Sequence, residues 1–144
     1  MHETPSDATA ERRHAVVAII VRGAHALFVR RSRSARAAAG YWTPVSGGIE
    51  AGEGEREAVA REVREEVALE VAAERRVATI PTHDERYWLH FWTCRILAGE
   101  PRIASDEVDA VRWYAREELA TLSPVFDEDV RIVLEVLRGS ADAS

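Results

Sequence analysis

Apolar residues in this chain fall into runs of two different periods. "HAVVAIIV" (14–21) is a continuous β-branched run closed by Gly23, and "HALFVRR" (25–31) follows across a short turn, which predicts a hairpin. "SRSARAAAGYW" has no period and is punctuated by Gly40 and Pro44, as a loop is. From Gly54 to Val67 the pattern changes: Val59, Val63 and Val67 recur every four residues beside Ala60, the spacing of a helix with one face on a core. Strand character returns at "LEVAAERRVATI" (69–80) and "RYWLHFWTCRIL" (86–97), with "PTHDE" as the turn between them. The second run has large residues on both alternating faces, Tyr87, Leu89 and Phe91 against Trp88 and Trp92, so it predicts a strand covered on both sides. "DAVRWYA" reads as a further strand and "REELATL" as a short helix. Ser123 and Pro124 give a start signal for a last helix, "PVFDEDVRIVLEVLR", which Gly139 is expected to close. This order predicts an α/β fold, a mixed sheet with helices packed on its faces in an α/β/α layering.

The chain has 144 residues, enough for one core and too few for two. We expect one domain over 13–139, a loose tail over 1–12 and a short C-terminal tail over 140–144. Composition is globular, with 47% hydrophobic and 31% charged residues. The net charge of −6 disfavours a protein that grips a nucleic acid polymer through its phosphates. A polyanionic small molecule would therefore need a bridging cation. Cys94 is the only cysteine, which excludes an intrachain disulfide and a cysteine-based zinc site and suggests a reducing, cytoplasmic setting. No run approaches the ~18 apolar residues of a membrane span, and "MHETPSDATAERR" is too polar for a signal peptide.

Charge is distributed unevenly. Glu50, Glu53, Glu55, Glu57, Glu62, Glu65 and Glu66 crowd the segment from Gly47 to Leu69. At about 100° per residue, Glu62, Glu65 and Glu66 fall within an arc of roughly 100° on one side of the helix and are expected to converge. Like charges at these spacings destabilise a helix by a few tenths of a kcal/mol per pair. A divalent cation would relieve them, and hard oxygen ligands select Mg²⁺, with Mn²⁺ as a substitute. The preceding "SGGIEAGE" is flexible enough to aim a backbone carbonyl at the same ion, with Glu53 at its exit. Arg61 stands between Glu57 at i−4 and Glu65 at i+4 and can brace the cluster through ion pairs. A plain solvated acidic helix is the competing reading.

The spacing of Gly47, Glu53, Arg61, Glu62, Val63, Glu65, Glu66 and Leu69 resembles the signature of the Nudix hydrolase family. One position departs: Ala68 stands where the family has glycine, a helix-ending position that carries no chemistry. The resemblance implies a Nudix-type α/β/α sandwich and a hydrolase that cleaves a nucleoside diphosphate linked to another group. It implies a cation site at Glu62, Glu65 and Glu66, with the backbone at Ser46 or Gly47 as a further ligand. Glu62 or Glu66 is then a candidate to deprotonate the attacking water, and Glu107, in a later loop, is a rival. Arg61 and Glu53 complete the candidate catalytic set. Family members are often dimers, although nothing in this sequence marks an interface. A catalytically idle Nudix-fold sensor that only binds a nucleotide is the alternative, and the complete acidic set argues against it.

Substrate recognition is less legible. Arg30, Arg31, Arg33 and Arg36 are candidates for gripping phosphate oxygens, since guanidinium groups suit bidentate contacts. Tyr87, 18 residues after Leu69, resembles the tyrosine of dinucleoside polyphosphate hydrolases, while a plain core role competes. Pro81 lies too close to the signature for the proline typical of ADP-ribose hydrolases. "SPVFDEDV" resembles the region where oxidised-purine triphosphatases hold a base, with Phe126 to stack and Asp127 or Asp129 to bond its edge; a hydrophobic anchor beside acids that favour a helix N-terminus is the plainer account. His83 and His90 lack a metal-ligand spacing partner and read as structural, and Trp42, Trp88, Trp92 and Trp113 as core or pocket wall.

Overall fold

The structure is a computed structural model and describes residues 12–143. Among the described residues, seven strands and three helices follow in order: β1 (Arg13–Arg22), β2 (His25–Arg31), β3 (Trp42–Thr43), β4 (Val45–Gly48), α1 (Glu55–Val67), β5 (Glu70–Pro81), β6 (Tyr87–Ala98), β7 (Val108–Ala115), α2 (Arg116–Leu119) and α3 (Asp127–Ala143). β1, the most continuous apolar run, is central. It lies parallel to β6 and antiparallel to β4, and meets β2 in the expected hairpin through Val21 and Ala26. β5 flanks β6, while β3 and β7 pair with β2. The sheet is therefore mixed, as expected.

Alternation along β1 divides the core. Val16, Ala18 and Ile20 face α1 with Val59, Val63 and Val67, whereas Val17 and Ile19 face α2 and α3 with Phe28, Phe91, Leu119, Ile132 and Val133. The expected valine stripe of α1 is fully buried, and its partner is Ala58, with Ala60 only half-buried. Burying each such valine is worth about 1.5–3 kcal/mol. β6 is covered on both faces: Phe91 packs on the α3 side and Trp92 on the α1 side.

Three expectations change. Ser46–Gly48, expected as the start of a flexible loop, belong to a strand, Val45–Gly48, held by β1 from Ala15 to Ala18; four residues with two glycines show no period of their own. The last helix begins at Asp127, not Pro124, because the Pro124 carbonyl accepts the Trp42 amide at 3.0 Å and Val125 bridges to Trp42, extending the chain past β3. Gly139 does not close that helix, which runs on to Ala143. The expected N-terminal tail lies, except for Arg12, outside the described residues.

Candidate active site

Gly54 caps the start of α1, and its amide donates to the Glu57 carboxylate at 2.7 Å, so Glu57 serves the helix end and the expected Glu57–Arg61 pair does not form. The Arg61 guanidinium instead gathers the acids of the preceding loop and of its own helix. Nε and Nη2 donate to Glu53 at 2.6 and 2.9 Å, Nη2 to the Gly48 carbonyl at 2.8 Å, and Nη1 to Glu62 at 2.9 Å and Glu65 at 3.2 Å. Glu50, 3.5 Å from Nη1, joins the same network. These bonds hold the Glu53 carboxyl below its ordinary range, the Arg61 bond being the largest cause. Glu53 also accepts the Glu50 amide at 2.9 Å, so one carboxylate shapes the loop and anchors the arginine.

Glu62 and Glu66 sit deeper. Burial raises both above the usual carboxylate range, Glu66 to about 8. The negative charge of Glu62 adds to the rise at Glu66. Gly47 in β4 makes room for this arrangement: a Cβ there would land on the Glu62 carboxylate. Ser46 is its neighbour in β4, opposite Val17. Glu65, by contrast, is 57% exposed and turned to Arg61. Among the described residues no three acidic, histidine or cysteine side chains already form a closed metal cage. The expected convergence of Glu62, Glu65 and Glu66 on one point is thus incomplete, because the Arg61 cation draws Glu65 outward.

The residues nevertheless fit a hard divalent cation in their chemistry. Every donor is oxygen, and Glu66 Oε1 is buried with no hydrogen-bond partner among the described residues, a costly state for a carboxyl oxygen unless something else supplies the bond. Two residues from distant segments reach the same place. Arg31 and Glu107 both act electrostatically on Glu66, Arg31 favouring its ionised form and Glu107 opposing it. They face each other at 3.8 Å. The loop before β7 is brought here by the end of α1, whose Glu66 and Val67 carbonyls accept the Ala104 and Arg102 amides at 3.0 and 2.9 Å.

Arg30 and Arg31 diverge. Alternation puts Arg31 on the α1 side and Arg30 on the α3 side, where it is bonded to Asp109, the bulged residue of β7, at 2.7 Å and stacked over Trp42 at 5.5 Å. Arg33 and Arg36 are exposed on the β2–β3 loop. Tyr87 shares the α3-facing side of β6 with Leu89 and Phe91, away from the α1 carboxylates. Phe126 also lies on the α3 side, stacked on Tyr41 with centroids 4.6 Å apart and planes 23° from parallel. Asp127 is exposed. Asp129 is buried on the inner side of α3, in step with Ile132 and Val133, and burial with the neighbouring Glu128 charge raises its carboxyl to about 7.

Sequence reasoning missed Tyr41 and Ser32, neither of which belongs to a periodic pattern. His90 is buried and bonded to His14 at 2.9 Å and Thr79 at 3.0 Å, and His83 is bonded to Glu128 at 3.0 Å. No helix among the described residues is long and apolar enough to cross a membrane.

The model of the NUDIX domain matches residues 11–136. A Mycobacterium tuberculosis protein provisionally named 8-oxo-dGTP diphosphatase 2 is 36% identical over 107 residues, covering 72% of this chain and 74% of that one. The NAD-capped RNA hydrolase NudC of Pseudomonas aeruginosa is 28% identical over 107 residues, covering 74% of this chain, which spans only 37% of NudC. Among solved structures, a MutT NUDIX hydrolase from Burkholderia pseudomallei is similar with a TM-score of 0.71 and 29% identity, covering 86% of this chain and 96% of its own.

Proposed function

This chain belongs to the NUDIX domain family, and on that premise we propose that it is a Mg²⁺-dependent hydrolase of the pyrophosphate bond in a nucleoside diphosphate linked to another group. The observation that carries this reading is the buried, unpartnered Oε1 of Glu66 beside Glu62, in reach of the charges of Arg31 and Glu107. Glu62, Glu65 and Glu66, with the backbone of Ser46 or Gly47, would hold the cation. Mg²⁺ bound there supplies neutralisation of the pyrophosphate charge and acidifies the water that attacks it. Arg61 keeps Glu53, Glu62 and Glu65 in one frame. Arg31, beside Glu107 at 3.8 Å, would take a phosphate oxygen in this reading.

With Glu62 and Glu66 committed as ligands, Glu107 is the carboxylate left free beside them, and we assign it as the general base. Water adds to one phosphorus, the anhydride bond breaks with its electron pair passing to the departing phosphate oxygen, and the proton of the water goes to Glu107.

The same reading extends to the substrate. Phe126 and Tyr41 offer aromatic faces for a base, and a carboxyl titrating near neutrality at Asp129 can donate to or accept from its edge. The 8-oxo-dGTP diphosphatase relative favours a purine nucleoside triphosphate, oxidised or not. The test is product release with Mg²⁺ over dNTPs, 8-oxo-dGTP, ADP-ribose, sugar nucleotides and dinucleoside polyphosphates. Hydrolysis of one class is expected, falling by more than about a hundredfold in Glu65→Gln and Glu66→Gln, since even residues behind a metal ligand are worth about 10–100-fold. Silence on the whole panel, with a nucleotide bound in calorimetry, would replace this reading by the sensor.

A further inference from the structure

We infer that Ser32 is a positioning residue that sets Glu107 against the carboxylate cluster; the inference rests on the assignment of Glu107 as general base. Ser32 follows Arg31, which faces the α1 side opposite Val108 of β7. It is buried, and both of its donors land on adjacent carbonyls of one dipeptide: Oγ donates to the Asp106 carbonyl at 2.6 Å and the amide to the Glu107 carbonyl at 2.8 Å. The same Oγ accepts the Ser34 amide at 3.2 Å, so its hydrogen is committed to Asp106 and its lone pair to the arginine-rich loop.

The segment that carries Glu107 is held at two ends. Residues 102 and 104 hang on the α1 carbonyls, and Ser105 closes the turn by accepting the Glu107 amide on its hydroxyl at 3.0 Å. Those contacts fix the early part of the loop to the helix. Ser32 fixes the late part, residues 106 and 107, to β2. Arg31 is covalently next to Ser32 and faces the Glu107 carboxylate at 3.8 Å. The dipeptide Arg31–Ser32 at the end of β2 therefore holds Glu107 twice, by its backbone through Ser32 and by its charge through Arg31. A general base acts only within hydrogen-bond reach of the water it deprotonates, and a misplacement of about 1 Å can cost a hundredfold in rate. Removing the Ser32 hydroxyl leaves the Arg31–Val108 pairing and the Glu107 carbonyl bond in place but frees the Asp106 carbonyl, so the turn that leads into Glu107 can relax.

The test compares Ser32→Ala, Ser32→Thr, Glu107→Gln and the Ser32→Ala/Glu107→Gln double variant on the panel substrate that the protein hydrolyses, with Mg²⁺. Ser32→Ala is expected to lower kcat about tenfold with KM within about twofold. Ser32→Thr, which keeps the hydroxyl, should recover most of the rate. In the Glu107→Gln background Ser32→Ala should add less than about twofold, because residues acting through one group are not additive. If Ser32→Ala does not fold, Ser32→Cys, a weak donor of similar size, takes its place. Glu107→Gln slow with Ser32→Ala at the wild-type rate overturns this inference alone, as does a Ser32→Thr variant as slow as Ser32→Ala or a double variant whose losses multiply. Glu107→Gln at the wild-type rate overturns the base assignment and the inference with it. A chain silent on the whole panel overturns both together with the hydrolase reading.

Discussion

On the α1 side of the sheet, Arg61 binds Glu53, Glu62 and Glu65 directly, and Glu66 and Glu107 stand behind them, so most side chains are tied to a charged partner. On the α3 side, Tyr41 lies flat on Phe126 and Asp129 is buried on the inner face of its helix. The first region is a rigid charged lattice whose parts come almost entirely from residues 46–66. The second is assembled from residues 41 and 126–129 and consists of stacking surfaces and one titratable edge. Electrostatic preorganisation stabilises charge that develops in a reaction, whereas stacking recognises a base and tolerates variation. The contrast implies that disturbing the α1 side should lower kcat and that disturbing the α3 side should raise KM.

Gly47→Ala is the sharpest way to break that contrast. The atoms nearest the added Cβ belong to the Glu62 carboxyl group, the far end of a flexible side chain, so the fold can yield by swinging the carboxylate aside. Stability should change little while activity and Mg²⁺ binding fall by about a hundredfold, an effect comparable to losing support for a metal ligand. Enzyme assay and calorimetric Mg²⁺ titration check both; a fully active Gly47→Ala would mean that the Glu62 position does not matter. The counterpart is Phe126→Ala. Stacking of a base on an aromatic ring is worth about 1–3 kcal/mol, so KM should rise at least about fivefold with kcat nearly unchanged. A loss confined to kcat would move Phe126 out of the recognition side.

The same contrast explains what was legible in the sequence. Glu53, Arg61, Glu62, Glu65 and Glu66 lie on one loop and one helix, where spacing alone fixes which side chains share a face. The long strands and α1 were legible for the same reason, since their periods are local. Tyr41 meets Phe126 across 85 residues (126 − 41), and Ser32 meets Asp106 across 74, through strand pairings that no local pattern announces. β3 and β4 are too short to show a period, and their conformation comes from the partners β2 and β1. Arg30 and Arg31 look equivalent as neighbours, yet alternation sends them to opposite sides of the sheet.

A smaller effect separates the two regions by pH. Glu66 titrates at about 8 in the folded protein against an ordinary 4.5. Below 4.5 the folded and unfolded chains both hold the proton, so stability is intact there. As pH rises from 4.5 toward 8 the unfolded chain binds fewer protons than the folded one, and stability is lost progressively. Asp129, raised to about 7, adds a loss of the same sign. Glu66→Gln removes the first contribution and keeps the second. In the presence of a chelator, urea unfolding should show Glu66→Gln gaining on the wild type steadily between pH 5 and 8. Equal curves at all pH values would show that burial does not hold a proton on Glu66. The equivalent comparison with Asp129→Asn should give a shorter window, closing near pH 7.

The mildest intervention concerns the one departure from the family signature. Ala68 caps α1 at φ 59°, with its amide donating to the Arg64 carbonyl at 3.0 Å, so the turn is left-handed although the residue has a Cβ. A non-glycine residue there costs about 1–2 kcal/mol, and glycine would relieve that at the expense of greater freedom in the unfolded chain. Ala68→Gly should therefore stabilise by about 0.5–1 kcal/mol, seen as a rise of a few degrees at most in the unfolding temperature for a domain of this size. The backbone already occupies the conformation glycine prefers, so kcat and KM should stay as they are. Just before this cap, the Glu66 and Val67 carbonyls hold the loop that leads to Glu107. A stabilised but slower Ala68→Gly would show that the helix end transmits its geometry to Glu107, and would extend the charged lattice of the α1 side by one turn.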